Sequence, residues 1–180
     1  MRRINRKGFT LIEVIVVAGI IAILAGILVP MIFKEIDESR ITRASADIRS
    51  ISSALFVFRK DTAQWPILDA SQACDPTKPF DVIGSDGNYP TNYVAQGFGP
   101  NGGGFNDMLP IDDGCYSNWK GPYIARITAD PWSNAYMMNS KDFATVGAPV
   151  WIISAGPDGQ LQTSNADATV SGDDVGLRLQ

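Results

Sequence analysis

An uninterrupted apolar run comes first in the hydrophobic pattern of this chain. Between Phe9 and Phe33 the only charged side chain is Glu13. The run is longer than the roughly 20 residues that an α-helix needs to cross the hydrocarbon core of a bilayer. The pattern therefore predicts a membrane-spanning helix over residues 9–33.

The pattern stays helical after Lys34 but becomes one-sided. Apolar residues then recur at alternating intervals of three and four positions, with charged residues between them: Ile41, Ala44, Ile48, Ile51, Leu55 and Phe58. This narrow stripe predicts an amphipathic helix over residues 34–65 that lies against a globular domain. Because a proline disfavours helical backbone at the preceding residue, Pro66 ends it. One helix is thus predicted from about Thr10 to Gln64.

The composition changes between residues 66 and 120. Glycine, proline, asparagine and aspartate dominate residues 97–116, which read GFGPNGGGFNDMLPIDDGCY. We predict a long irregular segment here. Cys74 and Cys115 bracket most of it, and an even cysteine count in an oxidising compartment favours one disulfide. Two unpaired thiols are the alternative.

Short β-prone runs follow within residues 121–180. They read PYIARI, AYMMN and VWIIS, and turn sequences containing Asp-Pro, Gly-Ala-Pro and Gly-Pro-Asp-Gly separate them or follow the last. Their spacing predicts a small three-stranded antiparallel sheet with one face on the helix stripe. The predicted fold class is α+β.

Basic residues before the apolar run predict the orientation of the chain. Arg2, Arg3, Arg6 and Lys7 favour a cytoplasmic N-terminus, a single membrane span and a globular domain on the outer side of that membrane. A cleaved signal peptide is the alternative. Its apolar core is usually about 7 to 15 residues and is followed by a small-residue cleavage site, and this chain matches neither feature.

Composition argues against several functions. The chain has no histidine, which removes the commonest general base and the commonest zinc ligand. Asp112 and Asp113 form a carboxylate pair, but in a turn-rich loop without a predicted pocket. We therefore predict no enzymatic activity. The formal net charge is −4, or −8 without residues 1–8, which disfavours binding to nucleic acid through phosphate contacts.

Glu13 is the exception within the apolar run. A carboxylate at bilayer depth costs about 2.5 to 3.5 kcal/mol on insertion scales, so it normally has a partner. Cleavage after Gly8 would create a free amine on Phe9, four positions before Glu13. Glu13 of one chain could then neutralise the N-terminus of the next as the apolar helices stack, which favours ordered assembly.

The sequence KGFTLIEV, residues 7–14, resembles the processing motif of type IV pilins and of the pseudopilins of type II secretion. The resemblance implies a leader peptide over residues 1–8, cleavage between Gly8 and Phe9 by a prepilin peptidase, and N-methylation of Phe9. It also assigns assembly roles to Glu13 and Pro30. Pro30 removes one helical hydrogen bond, so we expect a kink or local melting there.

A second motif narrows the family. WKGPYIARITADPWSNAYMM, residues 119–138, and the later SAGPDGQ and GDDVG resemble the major pseudopilins. Ser133 and Ala135 depart from the usual Gly and Pro. The resemblance implies a homo-oligomeric helical filament with minor pseudopilins, built on an inner-membrane assembly platform, that drives protein export from the periplasm. Residues 66–120 look like an insertion.

The family resemblance further implies a Ca²⁺ ion in the C-terminal loop. Calcium takes six to eight oxygen ligands. Asp173 and Asp174 are the side-chain ligands that the resemblance favours most, followed by Asp167. The carbonyl groups that could complete the set belong to Leu161, Ser164 and Ser171.

Two other functions stay open at this point. One is a type IV pilin that forms surface fibres for adhesion or motility. The other is a monomeric, membrane-anchored binding module that holds a ligand with the glycine-rich residues 97–116.

Overall fold

The computed structural model describes residues 8–180. The chain divides into two compact units, Met1–Ser39 and Arg40–Gln180. Residues 1–7, which carry most of the predicted leader peptide and its four basic side chains, lie outside the described residues.

The first element is the long helix α1, Leu11–Thr62, whose bounds lie within two residues of the prediction. It is the one helix among the described residues that is long and apolar enough to cross a membrane. Its large apolar side chains between Phe9 and Phe33 are 49% to 86% exposed. The helix continues through Pro30 without interruption, so the local melting expected there is absent.

The C-terminal end of α1 comes before Pro66 rather than at it. Ala63 adopts a left-handed backbone conformation, with φ of 61°. The Thr62 hydroxyl donates to the Phe58 carbonyl oxygen at 2.9 Å and so remains inside the last helical turn. The left-handed residue, not the proline, therefore stops the helix.

The second unit contains a five-stranded mixed sheet. Its strands are β1 (Val82–Gly84), β2 (Gly102–Gly104), β3 (Met137–Met138), β4 (Trp151–Ser154) and β5 (Val175–Arg178), in the spatial order β2-β1-β3-β4-β5. β1 and β2 pair in parallel, and the other neighbours are antiparallel. Short helices complete the unit: α2 (Phe105–Met108) and two 3-10 helices, Ala70–Gln72 and Ser140–Ala144.

The prediction of a three-stranded antiparallel sheet is therefore wrong in strand number and direction. AYMMN and VWIIS contain β3 and β4, but PYIARI is not a strand. Its backbone pairs with a side chain instead. The Ile127 N–H donates to Asn106 Oδ1 at 2.7 Å, and Asn106 Nδ2 donates to the Ile127 carbonyl at 2.9 Å. At Ile127 an amide side chain thus takes the place of a partner strand.

Both faces of the sheet are covered, and alternate residues along its strands point to opposite sides. Ile83, Met138 and Ile152 pack with the apolar stripe of α1. Val82, Met137 and Ile153, each next to one of these in sequence, pack on the other side with Phe98 and Leu161. The stripe of α1 is buried from Ala44 to Phe58, whereas Ile41, predicted to belong to it, is 43% exposed.

Candidate assembly segment and C-terminal loop

The start of α1 is a capping box that includes Glu13. The Thr10 N–H and hydroxyl donate to Glu13 Oε2 at 2.8 and 2.7 Å, and the Glu13 N–H faces the Thr10 hydroxyl oxygen at 3.4 Å. Thr10 is the N-cap and Glu13 the third helical residue, the positions that this motif requires. The Thr-Leu-Ile-Glu spacing is a signal for this cap in the sequence, but the prediction for Glu13 rested on its charge and did not include the cap.

The predicted processing site lies directly before this box. Gly8 is exposed, and no atom lies within 4 Å of the position that a Cβ there would take. Phe9 is 86% exposed. Phe9 and Glu13 line one small apolar cleft together with Ile12, Val16 and Val17. The structure thus brings Phe9, the predicted methylation residue, and Glu13, a predicted assembly residue, to one face of the helix start, while cleavage and methylation stay predictions.

The Asp-Pro-Trp-Ser-Asn motif forms a turn around a buried carboxylate. Asp130 is 5% exposed. Its Oδ1 accepts from the N–H groups of Trp132 and Asn134 at 2.9 and 2.8 Å, and its Oδ2 accepts from the Ser154 hydroxyl at 2.5 Å. This carboxylate therefore ties the turn to the end of β4. Ser133 has φ of 75°, a conformation that favours glycine.

Asp174 is the buried carboxylate of the C-terminal loop. Its Oδ2 accepts from the N–H groups of Gln162 and Thr163 at 2.9 and 2.7 Å. Its Oδ1 and Gln162 Oε1 are both buried and have no hydrogen-bond partner. Burial raises the pKa of Asp174, and these hydrogen bonds lower it only in part. Two unpaired buried acceptors on hydrogen-bonded residues are an arrangement that a cation would stabilise.

The other predicted calcium ligands take part in local hydrogen bonds. Asp167 Oδ2 accepts from the Ser164 N–H at 2.7 Å, closing a local turn. The Ser171 N–H donates to Thr163 Oγ1. The Leu161 carbonyl accepts from two side-chain amides, which occupies both of its lone pairs. Within residues 8–180 no three acidic, histidine or cysteine side chains gather at one point that could hold a metal ion.

The disulfide joins Cys74 and Cys115, as predicted, with a Cα–Cα distance of 5.3 Å. Both residues pack against the core cluster that contains the α1 stripe. The segment it closes is not irregular throughout, because it contains β1, β2 and α2. The bridge thus holds folded elements in place.

Comparisons with known proteins identify two matching regions. Residues 98–173 match the family model described as type II secretion system, protein G, and residues 3–29 match the prokaryotic N-terminal methylation motif. Several proteins named type II secretion system core protein G are similar to this chain in sequence. The one from Pseudomonas aeruginosa is 29% identical over 171 residues, covering 94% of this chain and 96% of that protein. Those from Escherichia coli K12 and Vibrio cholerae are each 27% identical, covering 89% of this chain and 88% and 87% of theirs. No solved structure gives a significant match.

This chain is similar to these secretion proteins along most of its length. The pseudopilin family model begins at residue 98, so it includes the glycine-rich part of the segment that was predicted to be an insertion. Only residues 30–97 lie between the two matched regions.

Proposed function

We propose that the chain is the major subunit of a pseudopilin filament that drives protein export by type II secretion. The observation that carries this proposal is the first half of α1. Its large apolar side chains are about half exposed or more, so they need lipid before assembly and other copies of the same helix afterwards. Export by filament growth is mechanical, and it requires no catalytic group in this chain.

The same proposal includes processing and location. A prepilin peptidase would cleave after Gly8, and Phe9 would be methylated. The basic start supports a single-pass inner-membrane position with the globular unit in the periplasm, and the disulfide fits that oxidising compartment. An inner-membrane platform would assemble the filament, and minor pseudopilins would accompany it.

Glu13 has two separable roles in this proposal. Its hydrogen bonds to Thr10 cap the helix within one chain. Its charge would pair with the amine of Phe9 on a neighbouring chain during assembly. Glutamine can also fill the third position of a capping box, so Glu13→Gln removes the charge and keeps the cap. Thr10→Val removes the capping hydroxyl and keeps the charge of Glu13.

The test is assembly of full-length variants in a secreting cell, measured by crosslinking between copies. We expect Glu13→Gln and Glu13→Ala to be processed but to assemble poorly, while Thr10→Val assembles. Normal assembly of Glu13→Gln would show that capping, not charge pairing, is the role of this residue. Mass spectrometry of the N-terminus tests cleavage and methylation separately.

Imaging tests the rival function as a surface pilin. Filaments that stay within the cell envelope at normal expression are expected for a secretion pseudopilin. Long fibres on the cell surface at the same expression level would favour adhesion or motility.

We also propose that the C-terminal loop binds Ca²⁺. The unpaired Asp174 Oδ1 and Gln162 Oε1 support it, because hard oxygen donors suit this ion. Asp173 is adjacent in sequence and can add a carboxylate. Asp167 and the carbonyls of Leu161, Ser164 and Ser171 remain candidates, and binding through Leu161 would require its carbonyl to give up a hydrogen bond from Asn92 or Gln96. Bound calcium would stabilise the loop next to β5.

Thermal unfolding of Asp173→Asn with Asp174→Asn tests this proposal. The double variant should unfold at a lower temperature than the parent protein in calcium, and the difference should disappear in chelator. Asp112→Asn, an exposed carboxylate on a different loop, is the control. An equal loss with and without calcium would mean that these residues serve folding and not metal binding.

A further inference from the structure

A groove of about 730 Å³ lies in the second unit, beside the edge strand β2. Its volume is within the range of about 300 to 1,000 Å³ that is typical of ligand sites. The lining comes from the 3-10 helix Ala70–Gln72, from the aromatic residues Phe80, Tyr89 and Tyr93, and from residues 101–104, 107 and 108. Half of the lining residues belong to the glycine-rich segment 97–116. We call this feature the β2 groove.

β2 is an open edge of the sheet. It consists of three glycines and pairs only with β1, and no other segment among the described residues hydrogen-bonds to its backbone. An unpaired edge is a template for one more strand. Phe80 packs so closely on Gly103 that a Cβ there would overlap its ring at 2.6 Å.

The ionisable side chains that line the groove, apart from two tyrosines, are three aspartates: Asp69, Asp107 and Asp113. Asp69 already accepts from the N–H and hydroxyl of Ser71. Asp107 and Asp113 have no ion-pair partner in the part of the chain that the structure describes. Burial raises the pKa of Asp113, and the neighbouring charges of Asp112 and Asp107 add to the rise. This wall therefore lacks positive charge.

The carboxylate of Asp107 lies next to the open edge. A Cβ on Gly104 would overlap Asp107 Oδ2, so the absence of a side chain at Gly104 allows the carboxylate to fold against β2. The rings of Tyr89 and Tyr93 are 5.4 Å apart at an angle of 57°. The negative charge of Asp107 also acts on Tyr89, whose pKa is raised mainly by burial. A cation near Asp107 would meet a carboxylate in a groove that two tyrosine rings also line.

We propose that the β2 groove binds an extended, cationic peptide segment of another protein. The segment adds a strand to β2 through backbone hydrogen bonds, and a lysine or arginine side chain enters the groove beside Asp107, Asp113 and Tyr89. Charge complementarity selects this occupant over an acidic or neutral peptide. The proposal concerns the globular unit and does not depend on filament assembly.

The probe is a synthetic peptide, acetyl-Thr-Lys-Thr-Lys-Thr-amide, titrated calorimetrically into the full-length processed protein in detergent micelles. We expect saturable binding that weakens at least tenfold in the double variant Asp107→Asn, Asp113→Asn. Asn keeps the acceptor that binds the Cys115 N–H, and unchanged thermal unfolding verifies the fold. Asp112→Asn removes an exposed charge outside the groove and should change the affinity less than twofold. Two control peptides should not bind. One has glutamate in place of each lysine, and the other has lysines methylated at the backbone nitrogen, which removes the donors that strand addition needs.

Several results would overturn the proposal. One is no binding of the lysine peptide, and another is an equal loss in Asp112→Asn, which would reveal general attraction to an acidic protein. Binding of the N-methylated peptide with unchanged affinity would exclude strand addition. If the protein self-associates in the absence of peptide and the groove variants do not, the groove would bind a second copy of this chain instead. If calcium binding releases or absorbs heat in the parent protein but not in the same variants, the groove would be a calcium site instead.

Discussion

Asp130 is the carboxylate on which the turn between residues 130 and 134 depends, and replacing it tests how that turn is stabilised. Its two oxygens accept three hydrogen bonds, two from the backbone N–H groups of Trp132 and Asn134 and one from the Ser154 hydroxyl. Asp130→Ala leaves these three donors without their acceptor. The Ser154 hydroxyl can rotate toward another acceptor, whereas the two N–H groups are fixed by the turn.

The magnitude follows from those two N–H groups. A buried donor left unsatisfied costs about 1 to 3 kcal/mol, and both bonds are only partly buried, so some rehydration is expected. We take about 1.5 kcal/mol for each, or about 3 kcal/mol in total. For a unit of this size the midpoint of thermal unfolding should then fall by about 10 °C.

Asp75 supplies a matched control. Its Oδ1 accepts from the N–H and hydroxyl of Thr77 in the same two-residue turn geometry, but at an exposed site. Asp75→Ala should therefore cost less than about 1 kcal/mol. The assay is tryptophan fluorescence of the full-length protein during heating, because all four tryptophans lie between Trp65 and Trp151 in the second unit. An Asp130→Ala variant that is no more destabilised than Asp75→Ala would refute this reasoning.

Three further predictions concern the same unit. Tyr116→Phe should destabilise by about 1 to 2 kcal/mol in denaturant unfolding, because the phenol oxygen accepts a buried backbone N–H at 2.7 Å. Replacing Cys74 and Cys115 by serine should cost about 3 to 4 kcal/mol, since the bridge spans 41 residues. Arg126→Gln should raise the pKa of Asp86 toward its ordinary value of 3.8 in an NMR titration, because the guanidinium hydrogen bond and charge lower it. The stabilisation from this pair is complete above 3.8 and is lost as the pH falls through the lowered value.

Each of these predictions has a contradicting outcome. An unchanged unfolding midpoint for Tyr116→Phe would mean that water replaces the phenol. Full stability of the serine double variant would mean that the folded strands, not the bridge, hold the segment. An Asp86 titration that is the same in Arg126→Gln would mean that the 2.7 Å ion pair is absent in solution.

Local patterns were sufficient to predict the long helix. Its apolar run, its stripe and its approximate ends follow from residue spacing alone, since a helix makes its own backbone hydrogen bonds. The capping box is equally local, because Thr10 and Glu13 are three positions apart, but a prediction based only on the charge of Glu13 does not include it. The exposure of Ile41 could not be predicted from the sequence, because the spacing of apolar residues does not indicate where the globular unit begins to cover the helix.

The sheet could not be predicted in the same way, because strand pairing depends on distant partners. Three glycines have low strand propensity, yet Gly102–Gly104 pairs with Val82–Gly84 across an intervening loop. PYIARI has high propensity, yet it forms no strand, and at Ile127 the amide of Asn106 binds its backbone instead. The unpaired oxygens of Asp174 and Gln162 could not be predicted from the sequence either, since burial and satisfaction of an acceptor are tertiary properties.

The two departures from the family motif show how tertiary contacts accommodate a sequence change. Ser133 occupies the left-handed position for which the usual glycine is suited, and because it is exposed its side chain adds no clash with neighbouring elements to the local cost of that conformation. Ala135 stands where the family usually has proline, and its N–H donates to the Asn88 carbonyl at 2.9 Å, a bond that proline cannot make. Asn88 in turn donates its N–H to the Ser133 carbonyl at 3.0 Å. The alanine therefore allows this turn to bind the segment between β1 and β2, and the position that departs from the motif is the one that connects the region outside the family model to the sheet.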